Sequence, residues 1–299
     1  MSAAGRPERE YGGALHGGDA ATPLRARVFK GFSSQWSGEQ QLDELLPNIA
    51  AAGFDGIEPT FNPGAYPSPE GYRRQAPELR LRCEALGLRV HGLRAGRFPW
   101  ANIPSPDARD RAAALEHIRR ALECVSIMGG DVLLVVPGQA RPDVGYAEHW
   151  HRVVDFARAA GELAAARGLT IGLENVEARF PLSVRDWKDL LLEIDHPQVR
   201  MYLDVGNVTW LGLGFPAQWI RELGRLVCRL HFKDASFGGG LRNLLAGEVD
   251  WSAVAAALRE TGYAGWISVE PEWYRHAPAR LAERLSRDLD AILDLEGNR

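Results

Sequence analysis

Short apolar runs alternate with longer amphipathic stretches from about residue 26 onward. Continuous apolar runs bounded by turn residues are typical of parallel strands that helices cover on one face and a core covers on the other. Most of these runs follow a glycine or proline, which ends the element before it. The eight runs lie at 26–32, 54–60, 88–94, 131–137, 169–175, 199–205, 227–233 and 266–272.

The stretches between these runs have helical periodicity. The clearest, 107–128, repeats Leu115, Ile118, Leu122 and Val125 at steps of three and four residues, which places them on one face of a helix. A Pro-Asp pair precedes it and provides a start signal. Further helices are predicted at 38–52, 69–86, 147–167, 183–195, 251–261 and 278–295, with a weaker one at 215–224.

This alternation predicts an α/β protein with a single (β/α)8 TIM-barrel domain, because eight strand–helix units follow one another without a break in composition. An open doubly wound sheet would carry a glycine-rich dinucleotide loop after its first strand, and the segment FSSQWSGEQ has no such loop. We expect the barrel to span 26–299. Residues 1–25 are rich in Gly, Ala and charge without periodicity, so we expect a flexible N-terminal extension.

Composition and charge indicate which partners and which cellular location to expect. A net charge of −4 and a pI near 6.1 give no basic excess for a phosphate backbone, so nucleic acid is not an expected partner. No run is long and apolar enough to span a membrane, and no secretory leader is evident, so we expect a cytoplasmic protein. Cys83, Cys124 and Cys228 lie within apolar patterns without a CxxC pair, which predicts reduced core residues.

Polar residues stand at the ends of the last four predicted strands. Glu174, Asp204, His231 and Glu270 are separated by 30, 27 and 39 residues, each close to one β/α unit, and strand ends carry the reactive groups of barrel enzymes. Singly, each acid could cap a helix or pair with an arginine. Three carboxylates and an imidazole in register on consecutive strands are better explained by a shared divalent cation, because their mutual repulsion is otherwise costly.

The donor types indicate which ion this would be. Oxygen ligands with one nitrogen favour Mn²⁺, Mg²⁺ or Co²⁺, and of these we expect one Mn²⁺ ion. Structural zinc, which prefers thiolate and imidazole, fits poorly.

Six motifs place the chain beside a known family. They are GFDGIE (53–58), GLTIGLEN (168–175), YLDVGN (202–207), LHFKD (230–234), LAGEVDW (245–251) and GYAGWISVE (262–270). With these motifs the chain resembles the xylose-isomerase-like superfamily from about Gly53 to Pro271, in the sugar isomerase and epimerase branch that includes ketose 3-epimerases, hydroxypyruvate isomerase and inosose dehydratase.

The resemblance implies a metal-dependent isomerase or epimerase of carbohydrate metabolism. Glu174, Asp204, His231 and Glu270 would bind the metal, and Glu174 and Glu270 would move a proton next to the carbonyl of a small unphosphorylated keto-sugar or polyol through a metal-stabilised enediolate. Such barrels often form dimers or tetramers, so a homo-oligomer is expected.

Three alternatives differ from this reading. A lyase on the same scaffold, such as an inosose-type dehydratase or an enzyme that eliminates a group from a 3-oxo-sugar, would begin with the same proton abstraction. An inactive binding or assembly barrel is disfavoured by four intact ligand positions. The endonuclease IV branch needs a histidine-rich three-zinc cluster, which this chain lacks the strand-end histidines to build.

Side chains near the strand ends are candidates for substrate contact. Asn207 stands where many family members have a histidine three residues after the strand-six aspartate; it can hydrogen-bond but cannot carry a proton. Arg242 belongs to a flexible loop, expected to be a lid rather than a phosphate site. The full set is His91, Asn207, Lys233, Arg242, Trp36 and Trp100, with Trp210 and Trp273 as further pocket-lining residues.

The sequence also suggests supporting roles. Lys233 or Asp234 could orient His231, because a metal-bound imidazole usually donates its second N–H to an oxygen. Arg229 shares a strand face with His231 and would need a carboxylate partner, for which Glu58 is the candidate. The remaining histidines, without ligand spacing, are expected to be solvated: His117, His149, His151, His196 and His276.

Overall fold

A computed structural model describes residues 22–34, 38–271 and 277–295. Every predicted strand and helix that falls within them is present, with boundaries displaced by a few residues. The strands are β1 (Val28–Ser33), β2 (Gly56–Glu58), β3 (Arg89–Val90), β4 (Gly92–Arg94), β5 (Val132–Val135), β6 (Thr170–Glu174), β7 (Val199–Asp204), β8 (Val227–Phe232), β9 (Asp234–Ser236), β10 (Gly240–Arg242) and β11 (Gly265–Val269).

Helices connect the strands. They are α1 (Leu24–Arg27), α2 (Glu39–Ala51), α3 (Tyr72–Ala85), α4 (Phe98–Asn102), α5 (Ala108–Met128), α6 (Tyr146–Ala165), α7 (Val184–Ile194), α8 (Val205–Trp210), α9 (Pro216–Leu223), α10 (Trp251–Glu260) and α11 (Pro278–Leu293). The short helices α1, α4 and α8 and the antiparallel β9–β10 hairpin were not predicted. Each is too short to show a hydrophobic period of its own.

The parallel strands form one sheet in the order β3-β2-β1-β11-β8-β7-β6-β5-β4. Its two ends, β3 and β4, are separated only by His91, so they are halves of one extended segment and the sheet closes on itself. The register joins β1 to β11 from Val28↔Gly265 to Phe32↔Val269. A closed parallel barrel with interleaved helices in one domain is therefore confirmed.

Local sequence explains where the elements begin and end. Asp107 caps the start of α5, where its side chain accepts a hydrogen bond from the Arg109 backbone N–H, and Gly129, with φ 79°, caps its end. Ser183 caps the start of α7, where its hydroxyl accepts a hydrogen bond from the Asp186 N–H. Every residue of β7 and β8 is buried, because one face looks into the barrel and the other packs against helices.

Two expectations about polar surface are wrong. His117 and His149 are buried rather than solvated. His117 Nε2 donates to the Ala95 carbonyl at 2.7 Å, and His149 stacks on Phe180 with ring centroids 4.0 Å apart. Their helices turn these positions toward the barrel, which a lone histidine in a sequence does not show. His276 lies outside the described residues.

Three further expectations concern the cysteines, the N-terminal extension and membrane-spanning helices. The three cysteines are buried and free, as predicted. Most of the proposed extension, 1–21, lies outside the described residues, whereas Leu24 in α1 is buried, so the boundary at residue 25 stays a prediction. No described helix combines the length and apolar character that a membrane crossing requires.

Candidate metal centre and active site

Four strand ends bring the predicted ligands together. Glu174 is the last residue of β6, Asp204 is the last residue of β7, His231 lies in β8 and Glu270 follows β11. The register sets Asp204 beside His231. All four side chains are buried, and one potential ligand atom from each lies within 4.8 Å of the others.

The cluster has the properties of a cation site. The buried oxygen Glu174 Oε2 accepts no hydrogen bond from the described residues, and an unsatisfied buried carboxylate oxygen is costly. Asp204 Oδ2 contacts the Lys233 ammonium group at 2.9 Å. His231 Nδ1 lies 2.8 Å from Glu174 Oε1 and 3.9 Å from Asp204 Oδ2. Three carboxylates and one imidazole suit a hard divalent ion, so these four residues could hold one.

Glu58, at the end of β2, fixes the orientation of His231. Its Oε2 accepts hydrogen bonds from His231 Nε2 at 2.7 Å and from Ser33 Oγ at 3.2 Å. Its Oε1 accepts a hydrogen bond from the Tyr202 hydroxyl at 2.9 Å. With Nε2 engaged in this way, Nδ1 faces the carboxylates. Glu58 is thus a fifth buried strand-end residue, after Glu174, Asp204, His231 and Glu270, and the sequence suggested it only as a partner for Arg229.

Burial and charge act in opposite directions on this pair. Burial alone would raise the pKa of the Glu58 carboxyl, but the adjacent His231 outweighs it and lowers the pKa to about 2. Burial alone would lower the pKa of His231, but Glu58 and Glu174 raise it to about 10. Glu58 and His231 thus each favour the charged form of the other.

Two suggested supporting roles are wrong. Glu58 does not pair with Arg229; the Arg229 NH2 group instead donates to Asp131 Oδ1 and Oδ2 at 2.6 and 2.7 Å, because Arg229 lies two residues closer to the amino end of β8 than His231. Asp234 does not orient His231 either. It accepts from the Val249 N–H and from Trp251 Nε1, and so holds the loop after β9.

Two cations, the buried Lys233 and the partly buried Arg94, compensate the acids Asp204 and Glu270. Lys233 Nζ lies 2.9 Å from Asp204 Oδ2 and also donates to Glu270 Oε2. Arg94 NH1 lies 2.9 Å from Glu270 Oε1. Burial raises the pKa of the Glu270 carboxyl, yet Lys233 and Arg94 outweigh it and lower that pKa. Arg94 was not singled out from the sequence, although it ends the predicted strand LRVHGLR.

A cavity of about 270 Å³ opens above the cluster. Its charged floor includes Glu174, Glu270, Lys233 and Arg94, and Trp100 stands in its wall. Asn207 also lines it: the Nδ2 group donates to the Asn175 carbonyl at 2.7 Å, whereas the buried Oδ1 has no described donor. Asn207, Lys233 and Trp100 of the expected substrate contacts thus face one cavity, together with Trp210.

The other expected contacts lie elsewhere. His91 is buried beneath the cavity, stacked on Trp266 at 4.3 Å and hydrogen-bonded to Ser268 Oγ at 3.0 Å, and burial lowers its pKa to about 4. Arg242 donates to the Leu241 carbonyl, and it is Leu241 that lines the cavity. Trp36 and Trp273 lie outside the described residues.

Sequence comparison finds a matching protein family and several related proteins. A family model described as xylose isomerase-like TIM barrel matches residues 46–291. The chain is 28% identical over 269 residues to 3-dehydroshikimate dehydratase of Pseudomonas putida, a match that covers 85% of this chain but only 40% of that protein. It is 24% identical over 254 residues to D-psicose 3-epimerase of Ruminiclostridium cellulolyticum, covering 80% of this chain and 82% of the epimerase.

Solved structures agree on the fold. L-ribulose 3-epimerase superposes with a TM-score of 0.75 at 20% identity, over 89% of this chain and 95% of that one. D-psicose 3-epimerase from Clostridium cellulolyticum H10 gives a TM-score of 0.72 at 18% identity, over 89% of this chain and 99% of that one. At these identities the likeness shows the architecture alone.

Proposed function

This chain belongs to the xylose isomerase-like TIM barrel family, and from that premise we propose that it is a divalent-metal-dependent isomerase or epimerase of a small keto-sugar or related polyol. One observation carries the proposal: four buried ligand-type side chains converge within 4.8 Å at the floor of a cavity that two of them, both glutamates, line.

Glu174, Asp204, His231 and Glu270 would hold the ion, and we expect Mn²⁺. Bound there, a divalent ion would polarise the substrate's carbonyl and neighbouring hydroxyl oxygens and so acidify the adjacent C–H. Glu58 would keep the His231 ring turned toward the site through its 2.7 Å hydrogen bond.

The two glutamates would move the proton. One carboxylate takes it from the carbon next to the carbonyl, and the other returns a proton to the same carbon or to the neighbouring carbon. The first outcome inverts a stereocentre and the second moves the carbonyl. Asn207 would accept a hydrogen bond from a substrate hydroxyl through its unpartnered Oδ1, but it adds no third proton-carrying group.

A dehydratase is the second candidate, favoured by the 28% identity to a 3-dehydroshikimate dehydratase. The same abstraction would then be followed by loss of a hydroxyl group from the next carbon as water. In that case one glutamate removes the proton and the other protonates the leaving hydroxyl, so the substrate loses mass.

Incubation of the Mn²⁺-loaded protein with a panel of ketoses, keto-acids and inososes in D₂O separates these activities. An isomerase or epimerase incorporates solvent deuterium, with no change in mass beyond that label, whereas a dehydratase releases a product lighter by one water. Protein that binds no Mn²⁺ or Co²⁺ in calorimetry and exchanges no substrate proton would contradict both enzymes and favour a binding protein.

A further inference from the structure

Arg94 has more hydrogen-bonding capacity than its surroundings use. It ends β4, its side chain is 17% exposed, and it lines the cavity beside Glu270. The NH1 nitrogen lies 2.9 Å from Glu270 Oε1 but makes no aligned hydrogen bond with a described residue. A guanidinium carries five N–H donors in a planar fork, so this contact leaves much of the fork available on the cavity side.

Lys233 shares the same acceptor. Its ammonium group bridges Asp204 Oδ2 and Glu270 Oε2, so the single carboxylate of Glu270 faces two cations, Lys233 and Arg94. Under the proposed function Glu270 and Asp204 would hold the metal, which would leave their oxygens less available to Arg94 and Lys233. A further anionic acceptor within the cavity would then compensate these two cations.

We propose that Arg94, assisted by Lys233, binds a carboxylate group of the substrate, which makes the substrate a small polyhydroxy keto-acid. This inference rests on the proposed function and names its substrate class. The planar guanidinium fork matches the two oxygens of a carboxylate.

Phosphate is the competing anion, and the structure favours it less. Barrels commonly hold phosphate on the loops after the last two strands, but Arg242 of that region does not line the cavity. The other arginine at the cavity, Arg97, lies 3.8 Å from Glu177 and stacks on Trp100 at 4.8 Å. Of the two arginines among the described residues that line this cavity, Arg94 is the less exposed, at 17% against 63% for Arg97.

Matched ligands test the proposal by calorimetry on the Mn²⁺-loaded protein. D-fructuronate and D-tagaturonate differ from D-fructose and D-tagatose only in a terminal carboxylate, and D-fructose 6-phosphate carries phosphate at that carbon. We expect the two keto-acids to bind at least about tenfold more tightly than their neutral partners. Equal binding, failure of both keto-acids to bind, or tightest binding of the phosphate ester would overturn the assignment.

Variants localise the effect. Arg94→Gln should abolish the preference for carboxylate, and Arg94→Lys, which keeps the charge but not the fork, should retain part of it. Arg74→Gln is the matched control, because Arg74 is an exposed residue of α3 paired with Glu78 and should leave the preference unchanged. The Mn²⁺ dissociation constant and thermal melting of each variant show whether the site itself survives. An unaltered preference in an intact Arg94→Gln protein would contradict the proposal.

Failure of the proposed function gives a different result. If the protein binds no Mn²⁺ and exchanges no substrate proton, both the function and this inference fall. If Mn²⁺ binds and neutral ketoses exchange deuterium as fast as the keto-acids, the function stands and only the carboxylate assignment is lost.

Discussion

The hydrogen bonds of His231 fix the geometry of the site most directly. Both ring nitrogens meet carboxylates, Glu174 on one side at 2.8 Å and Glu58 on the other at 2.7 Å. A ring held from both sides has one orientation, and Nδ1 is therefore directed at the ligand cluster. At the scale of single residues, Glu174 and Glu270 line the cavity, whereas Glu58 acts through the histidine.

The cavity-facing acids should be indispensable for turnover. Glu174→Gln or Glu270→Gln removes a proton carrier while keeping the side-chain shape, so we expect a loss of about 10²-fold to 10⁴-fold in kcat, with the fold intact by circular dichroism. Glu222→Gln, an exposed glutamate of α9 near Lys188, serves as control. Wild-type rates in both site variants would remove them from the proton-transfer role.

Glu58 should act on the metal rather than on the proton. Glu58→Gln loses the carboxylate that orients His231, and we expect the Mn²⁺ affinity to fall about 10-fold to 100-fold. Because this residue touches no cavity-lining glutamate, saturating Mn²⁺ should restore much of the rate. Titration calorimetry measures the affinity, and an unchanged dissociation constant would mean that Glu58 does not position His231.

At the scale of secondary-structure elements, an ion pair connects two strands of the barrel. Arg229 of β8 is 1% exposed, and it reaches the carboxylate of Asp131, the residue before β5. Because β5 and β8 are not neighbours in the sheet, this ion pair connects two non-adjacent parts of the barrel near the amino ends of their strands. Backbone hydrogen bonds of the sheet join adjacent strands only. The ion pair therefore connects β5 and β8, which these backbone hydrogen bonds do not join directly.

Loss of this bridge should lower stability. Asp131→Ala leaves the buried guanidinium without its carboxylate, and we expect the free energy of unfolding to fall by about 2 kcal/mol, a figure moderated because the Asp131 side chain is 60% exposed. Asp143→Ala removes an exposed pair with Arg141 and should cost less than about 1 kcal/mol. Urea denaturation compares the two, and equal losses would argue against the bridge.

Over the whole molecule, repulsion at one end of the barrel should couple metal binding to stability. Glu174, Asp204 and Glu270 are buried together, and burial raises the pKa of the Asp204 carboxyl to about 6 despite the nearby Lys233. A dication that binds only the folded chain stabilises it by mass action.

Addition of Mn²⁺ at about 100 times its dissociation constant should therefore raise the unfolding free energy by about 2.7 kcal/mol, and EDTA should reverse the effect. Thermal melting with and without Mn²⁺ measures this shift. The Asp204→Asn variant, which removes one ligand charge, should show a smaller increase at the same Mn²⁺ concentration. An identical increase in that variant would place the ion elsewhere.

The sequence by itself determined the barrel and the four strand ends that carry the proposed ligands. Apolar runs and helical periods depend on neighbours within a few residues, so β6, β7, β8 and β11 could be placed before any fold was known. Strand ends of a parallel barrel share one rim, so Glu174, Asp204, His231 and Glu270 could be expected to converge there.

Only the tertiary structure decided which side chains of different strands pair with one another. Glu58 and His231 are hydrogen-bonded although they are 173 positions apart in the chain. Arg229 pairs with Asp131 rather than with Glu58. The burial of His117 and His149 and the direction of Arg94 into the cavity likewise depend on strand tilt and helix packing. Such contacts join residues far apart in the chain, and no local pattern encodes the distance between their atoms.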